Sequence, residues 1–511
     1  MRKHRLTVVL AAGFLALLLA APAWAQGFKD LEGKVAEKTL PNGLKVILLP
    51  RHEAPVISMV TYANVGGVDE QVGGTGLAHI FEHMAFKGTT SIGTNDYAKE
   101  RLAIQKEDEI FNQLRAERLR RPNPDEAKIK ELEEALRKAE EESAQYVVPN
   151  EFTEIVDREG GTGLNAFTAF DQTVYMYSLP SNKLELWAAL ESDRFSNPVL
   201  REFYKEKNVI MEERRMGESQ PQGRLFNDFF PIAYQAHPYR SFVIGWMSDL
   251  QAITKAQAET WFKKNYGAKN LTCVIVGDVN PATAWPVLEK WLGKIPSGEP
   301  GAPVVTVEPP QRGEKRYSME DPTQPFMIVG FHRPDVTSPD DAVYDAIAEI
   351  LGGGRSSRIY TSLVKEKQVA MAAGCEPTVE GQKYPGIFLF YAVPNKGKTN
   401  AECEAALYEE IEKIKDAPVT AEELEGVKAR KKTQFLDSIK SNMGLAMSLA
   451  FNQNLNEDWR ETFKSLEKID KVTAQDIQRV AKATFVKSNR TVAAIETVSE
   501  EKGEAKQENA Q

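Results

Sequence analysis

The sequence predicts an α+β protein of two similar layered domains, each a sheet covered by helices, with a helical hairpin inserted into the first. Three observations carry this. Runs with strand character alternate with runs of helical character in both halves of the chain. A stretch rich in Pro, Gly and Glu, from Ile295 to Arg316, separates the halves as a linker does. Between Asp96 and Gln145 the chain becomes dense in Glu, Lys and Arg, and apolar residues thin out to positions such as Ile110, Leu114, Ile129, Leu132 and Leu136.

Taken in order, Met1 to Ala25 reads as a secretory signal peptide. Arg2, Lys3 and Arg5 form a basic start, Leu6 to Ala21 an apolar run, and Ala23-Trp24-Ala25 a small-residue cleavage site. The expectation is an exported protein, periplasmic or secreted, with an uncleaved anchor as the alternative. Cleavage removes those three cations and takes the formal charge from −9 to −12. So acidic a chain argues against nucleic acid or anionic lipid as its main partner. Cys273, Cys375 and Cys403 are isolated and odd in number, so neither a zinc ribbon nor a disulfide framework is expected. No later segment is apolar enough for stable membrane insertion.

Leu40 to Leu49 reads as a turn into a strand, and Val56 to Gly67 as a strand ending in glycines. In the charged insertion, Arg121-Pro122-Asn123-Pro124 breaks a helical run, which gives two antiparallel helices over about 96–147 projecting from the domain. Such a run is ordinarily a solvated face; a partner-docking arm or a lid over a cleft is the other reading. Gly160 to Tyr177 looks like a glycine-led strand pair, followed by helices at Asn182–Asp193 and Glu202–Arg215 and a buried strand at Leu271–Val279. The expected division is a first domain over 26–297, a linker over 298–316, a second domain over 317–497, and a disordered polar tail over 498–511.

Chemistry concentrates in Gly76 to Gly88, which holds two of only six histidines. His79 and His83 are four residues apart, so a helix stacks them on one face where both imidazoles can reach a single ion. Glu82 sits beside that face, close enough to act on a water at the ion. This His-x-x-Glu-His order inverts the His-Glu-x-x-His zinc helix and is the inverzincin pattern. Alone, the five residues fit equally two structural histidines. A hydrolytic zinc site takes three protein ligands and leaves one position open. An acidic helix supplies candidates for the third: Glu206 and Glu213 lie two turns apart on one face, and Glu212 lies on another.

With these motifs in hand, the chain resembles the insulinase/pitrilysin family of zinc metallopeptidases, nearest the two-domain members that include the mitochondrial processing peptidase. Gly76 to Gly88 matches the family's metal helix and its Met-Ala-Phe-Lys-Gly continuation. Leu164 to Thr168, with Gln172 to Tyr175 behind it, matches a substrate-binding edge strand, and Glu206 to Glu213 a paired-glutamate helix. Ala236-His237-Pro238-Tyr239, Val276 to Val279 and Leu351 to Arg358 match further landmarks. The resemblance implies a clamshell of two domains with antiparallel-rich sheets. It implies one Zn2+ per chain held by His79, His83 and Glu213, Glu82 as general base, and Glu206 orienting a ligand. Asn165, Ala166 and Phe167 would pair with the substrate backbone.

Two departures follow. The separation of His83 from Glu213 exceeds the family's usual spacing, and the charged hairpin accounts for the excess. Active members that work alone carry an Arg and a Tyr, seven apart, in a second domain; here neither Val364 with Met371 nor Lys365 with Ala372 is that pair. His332 is the last histidine, and Lys432 stands where a second-half Glu213 would fall, so the second domain is expected to be metal-free. The implied function is a zinc endopeptidase for peptides or unfolded exported proteins. It would act as a homo- or hetero-dimer; in the hetero-dimer a metal-free partner chain would supply the Arg/Tyr pair. The alternatives are a non-catalytic scaffold or binding subunit of this fold, and a processing rather than a degradative role.

Overall fold

The computed structural model describes residues 29–498; the signal-peptide segment and the tail after Val498 lie outside them. Two sheets organise the described chain. β1 (Ala36–Thr39), β2 (Lys45–Pro50), β3 (Val56–Ala63), β4 (Thr162–Thr168), β5 (Thr173–Pro180) and β6 (Leu271–Gly277) form the first, in the order β1-β2-β6-β3-β5-β4. β7 (Lys315–Asp321), β8 (Phe326–Arg333), β9 (Ala370–Val379), β10 (Gly386–Pro394) and β11 (Arg490–Thr497) form the second, in the order β7-β11-β8-β10-β9. Each contains one parallel pair, β2–β6 and β7–β11, and is otherwise antiparallel. The order β2-β6-β3-β5-β4 maps strand for strand onto β7-β11-β8-β10-β9. The molecule is the expected two-domain α+β fold, and its halves share one topology.

β3 leads to the helix α1 (Leu77–Met84). The charged insertion forms α2 (Tyr97–Arg118) and α3 (Glu126–Ala144), and α4 (Glu151–Arg158) precedes β4. Asp96 and Asp125 cap α2 and α3, accepting backbone N–H bonds that those helix starts cannot make internally. Among the helices after β5 are α5 (Phe203–Ser219) and α6 (Pro221–Ala233). In the second half α7 (Asp341–Gly352) follows β8, while α8 (Ala421–Ser438) and α9 (Asn442–Leu455) lie between β10 and β11.

The two halves exchange helices. α6 leaves its own sheet and packs Leu225, Phe229 and Ala233 against Ile328, Leu389 and Ala493 of the second sheet. α9 does the reverse, setting Leu445, Leu449 and Ala450 against Ile47, Val60 and Val274 of the first. Each sheet is therefore covered on both faces. That explains why β6 reads as a continuous apolar run and is buried at every position. A polar latch joins the halves as well. Asp171, in the β4–β5 turn, accepts hydrogen bonds from Tyr239 Oη at 2.5 Å and from the backbone N–H of Gln382 and Lys383 in the β9–β10 loop at 2.6 and 3.0 Å.

The insertion forms the expected pair of helices packed on each other, and its base is seated on the domain. Leu114, Ile129 and Leu132 form a small core between α2 and α3. The base of α2 then lies along α5: Phe111 stacks on Tyr204 with ring centroids 4.1 Å apart, and Asp108 accepts from Tyr204 Oη at 2.8 Å. Lys207 of α5 is buried under Phe111, its ammonium 4.3 Å from the ring centroid and donating to the carbonyl of Ile253 at 2.6 Å. A few well-placed apolar residues in a charged run were enough to seat it. Leu449→Ala should lower the unfolding free energy by about 2–5 kcal/mol, because it opens a cavity where α9 meets the first sheet. Denaturant titration measures this, and a loss under about 1 kcal/mol contradicts the exchanged-helix packing.

Candidate functional site

α1 starts where the backbone needs glycine. Gly76 has φ of +94°, and a Cβ there would lie 2.7 Å from the carbonyl oxygen of Ile244. Glu70 then accepts the N–H groups of Gly76 and Ala78 at 2.7 Å each, one on each oxygen, although burial outweighs these bonds and raises its pKa to about 8. Thus anchored, α1 buries Leu77, Ile80, Phe81 and Met84 in the core and leaves His79, Glu82 and His83 half-buried, the last two lining a cleft.

His79 and His83 stand on one face, ring centroids 4.8 Å apart. α5 brings Glu213 to them: its Oε2 is 3.8 Å from Nε2 of both His79 and His83. One donor atom from each of the three lies within 4.8 Å of the others, and no other such cluster occurs among the described residues. Glu212, the competing carboxylate, points elsewhere and pairs with Arg215. Glu206, two turns before Glu213, accepts from His83 Nδ1 at 2.9 Å and from Lys87 Nζ at 2.7 Å. Lys87 also reaches Glu202 at 3.2 Å. His83 Nδ1 is thereby occupied, which leaves its Nε2 facing Glu213.

The charges follow from this geometry. Burial, and then His83, hold His79 down to about 4, so its imidazole is neutral at pH 7. Burial alone would lower His83, but the Glu206 hydrogen bond and the charges of Glu213 and Glu206 outweigh it and raise that histidine above its ordinary value. Burial works against ionisation of Glu206, yet His83 and Lys87 prevail and hold it at about 2. Glu82 is raised by burial, against the opposing bond from Thr168, whose Oγ1 donates to Glu82 Oε2 at 2.6 Å.

β4 is the free edge of the first sheet and passes alongside α1. Its residues alternate. Leu164 and Ala166 pack into the core beneath α1, Asn165 is exposed, and Phe167 stacks on Phe451 of α9 with centroids 6.4 Å apart. The Phe167 side chain is therefore engaged by the second half, and its main chain is what the edge offers. A cleft of about 610 Å³ opens between this strand, Glu82, His83, Phe86 and Glu206 on one side and Asn150, Thr153 and Asp157 of the α4 segment on the other. Sequence reasoning missed Lys87, Thr168 and α4. The first two stood inside the motifs already quoted, Lys87 in Gly76 to Gly88 and Thr168 at the end of Leu164 to Thr168, but no role was assigned to either.

Two imidazoles and a carboxylate converging on one point suit a zinc ion with an open position. The second half has the same topology with different side chains at the corresponding helices. There α7 and α8 stand where α1 and α5 stand in the first, and they are tied by Glu349 to Arg430 and by Asp345 to Lys431 at 3.2 Å. Lys365, one of the two positions considered for the Arg, donates to the carbonyl of Arg355 at 3.0 Å.

Two α+β halves of one topology, with the one metal-type donor set found among the described residues on the first, form a two-domain peptidase fold. More narrowly, the chain belongs to the insulinase family, peptidase family M16. A family model described as "Insulinase (Peptidase family M16)" matches residues 139–245, and one described as "Peptidase M16 inactive domain" matches 252–431, together more than half of the chain. Relatives include the zinc protease PqqE of Helicobacter pylori, 26% identical over 493 residues that span 93% of this chain and 95% of that one. The mitochondrial-processing peptidase subunit beta of Saccharomyces cerevisiae is 20% identical over 455 residues, 86% of each chain. The crystal structure of a protease from Helicobacter pylori superposes with a TM-score of 0.76 at 25% identity, covering 91% of this chain and 99% of that one.

Because Glu206 raises His83, Glu206→Gln should lower the His83 imidazole pKa in metal-free protein. Between the two pKa values His83 is then neutral in the variant and still protonated in the wild type. An NMR titration of the imidazole reads this, and an unchanged or higher value contradicts the Glu206–His83 bond.

Proposed function

We propose that this chain is the metal-bearing subunit of a zinc endopeptidase that hydrolyses peptides or unfolded polypeptides. The observation that carries the reading is the convergence of His79 Nε2, His83 Nε2 and Glu213 Oε2, with Glu82 one residue before His83 and an open strand edge alongside. His79, His83 and Glu213 hold one zinc ion, and Glu206 orients His83 with Lys87 behind it. Zinc bound there supplies an acidified water and a Lewis acid for the scissile carbonyl. Glu82 would serve as the base, accepting a proton from the attacking water on its carboxylate and giving it to the leaving amine; its burial raises its proton affinity toward that task. The substrate adds to the first sheet as a further strand, pairing with the main chain of Asn165, Ala166 and Phe167.

The first unit, 26–297, carries this chemistry and the second, 317–497, is metal-free. Without an Arg/Tyr pair the second unit lacks the family's substrate grip, so a metal-free partner chain supplies it in a dimer. The relationship to the subunit called beta of the mitochondrial processing peptidase favours that arrangement. The signal-type N-terminus supports export to the periplasm or beyond, and no helix among the described residues is long and apolar enough to cross a membrane.

Purified mature chain, alone and mixed with candidate partner chains, should contain one zinc and cleave unfolded peptides. Glu82→Gln should keep the metal and lose at least about 10²-fold in rate, the scale of a missing general base. His79→Ala and Glu213→Gln should lose the metal. Wild-type turnover by zinc-loaded Glu82→Gln contradicts the base assignment, and full zinc in either ligand variant contradicts that ligand. A wild-type chain that binds zinc yet cleaves nothing with any partner returns the scaffold reading.

A further inference from the structure

The clearest group outside the proposed zinc and peptide contacts is the hydroxyl of Thr168. We propose that Thr168 is a positioning residue: its Oγ1 holds one oxygen of Glu82, so that the strand receiving the substrate also sets the aim of the base. The inference rests on the peptidase reading above and deepens it.

The contact is direct, Thr168 Oγ1 donating to Glu82 Oε2 at 2.6 Å between two half-buried side chains. It is a charge-assisted bond, shorter than a bond between neutral groups. A hydroxyl has one proton to give, and here it goes to the carboxylate. Thr168 follows Asn165, Ala166 and Phe167 on β4 and faces α1 because side chains alternate along a strand, with Ala166 and Leu164 turned the same way. A β-branched side chain has few rotamers, so the backbone of β4 dictates where the hydroxyl sits.

The strand end is itself held. Thr168 pairs with Thr173 across the β4–β5 turn, and that turn carries Asp171, gripped by Tyr239 and by the main chain of Gln382 and Lys383 from the second half. Movement of the edge strand, whether by peptide docking or by motion between the halves, thus reaches Glu82 through Thr168, by its hydroxyl and by its backbone N–H. A carboxylate with two equivalent free oxygens and an unrestrained χ3 would lose that aim while keeping its chemistry. The cost should therefore fall on turnover, with substrate affinity preserved.

The test compares the zinc-loaded full chain, in its active complex, with Thr168→Val and Thr168→Ser on a quenched fluorescent peptide. Thr168→Val should lower kcat by about 10–100-fold, the range for removing a group that orients a metal-site residue, with KM near wild type and zinc unchanged. Thr168→Ser, which keeps the hydroxyl, should restore most of the rate. Wild-type kcat in Thr168→Val overturns the proposal. So does a Thr168→Val defect that appears as lost zinc or lost folding, or one that Thr168→Ser fails to repair. Glu82→Gln measured in parallel separates the two levels. If it is inactive beside a fully active Thr168→Val, only the positioning role falls; if it is active, the base assignment falls and the positioning role with it.

Discussion

Two imidazoles and a carboxylate must be held within a few ångströms of one another, with donor atoms turned inward and nothing else competing for them. The rest of this structure can be understood as the means of meeting that constraint. The donors come from two helices far apart in sequence, α1 and α5, so neither helix alone defines the cluster. A shift of either by a fraction of a turn would separate Glu213 Oε2 from the two Nε2 atoms, now 3.8 Å away. Their fixing is therefore tertiary.

Each helix is pinned on the side away from the cleft. α1 is held at its start by Gly76 and Glu70 and along its inner face by the core. α5 is backed by the charged hairpin, through Phe111 on Tyr204, Asp108 on Tyr204 Oη and the buried Lys207. Buried Arg201, just before α5, pairs with Glu100 at the start of α2 and donates to the carbonyl of Thr89, joining the loop after α1 to both. The insertion that lengthens the path from His83 to Glu213 thus braces the helix that delivers Glu213. Between the helices, the relay Lys87–Glu206–His83 fixes which nitrogen of His83 faces the centre.

Much of this was legible in the sequence because it follows short periodicities. A spacing of four places His79 over His83, and a spacing of seven places Glu213 over Glu206 and turns Glu212 away. The glycine-led strand pair and the interrupted charged run likewise announce local structure. What the sequence did not reveal is contact between distant elements of ordinary composition. Nothing in Leu445 or Leu449 says that α9 covers the sheet of the other half, and nothing in Leu225 says the same of α6. Thr168 looks like any strand threonine until α1 is placed beside it, and Lys87 like any surface lysine until Glu206 arrives from α5. Composition also gave the hairpin without its seat, which Phe111 on Tyr204 and the small core around Leu114 provide.

The central claim is that His79, His83 and Glu213 together hold one zinc. X-ray absorption at the zinc edge of the purified mature chain tests it most directly, with metal content measured on the same sample. One zinc per chain with only nitrogen and oxygen neighbours near about 2.0–2.1 Å, including two imidazoles, is the predicted result. A sulfur neighbour near about 2.3 Å, which only Cys273, Cys375 or Cys403 or a methionine could provide, would contradict the account. So would a chain that takes up no zinc.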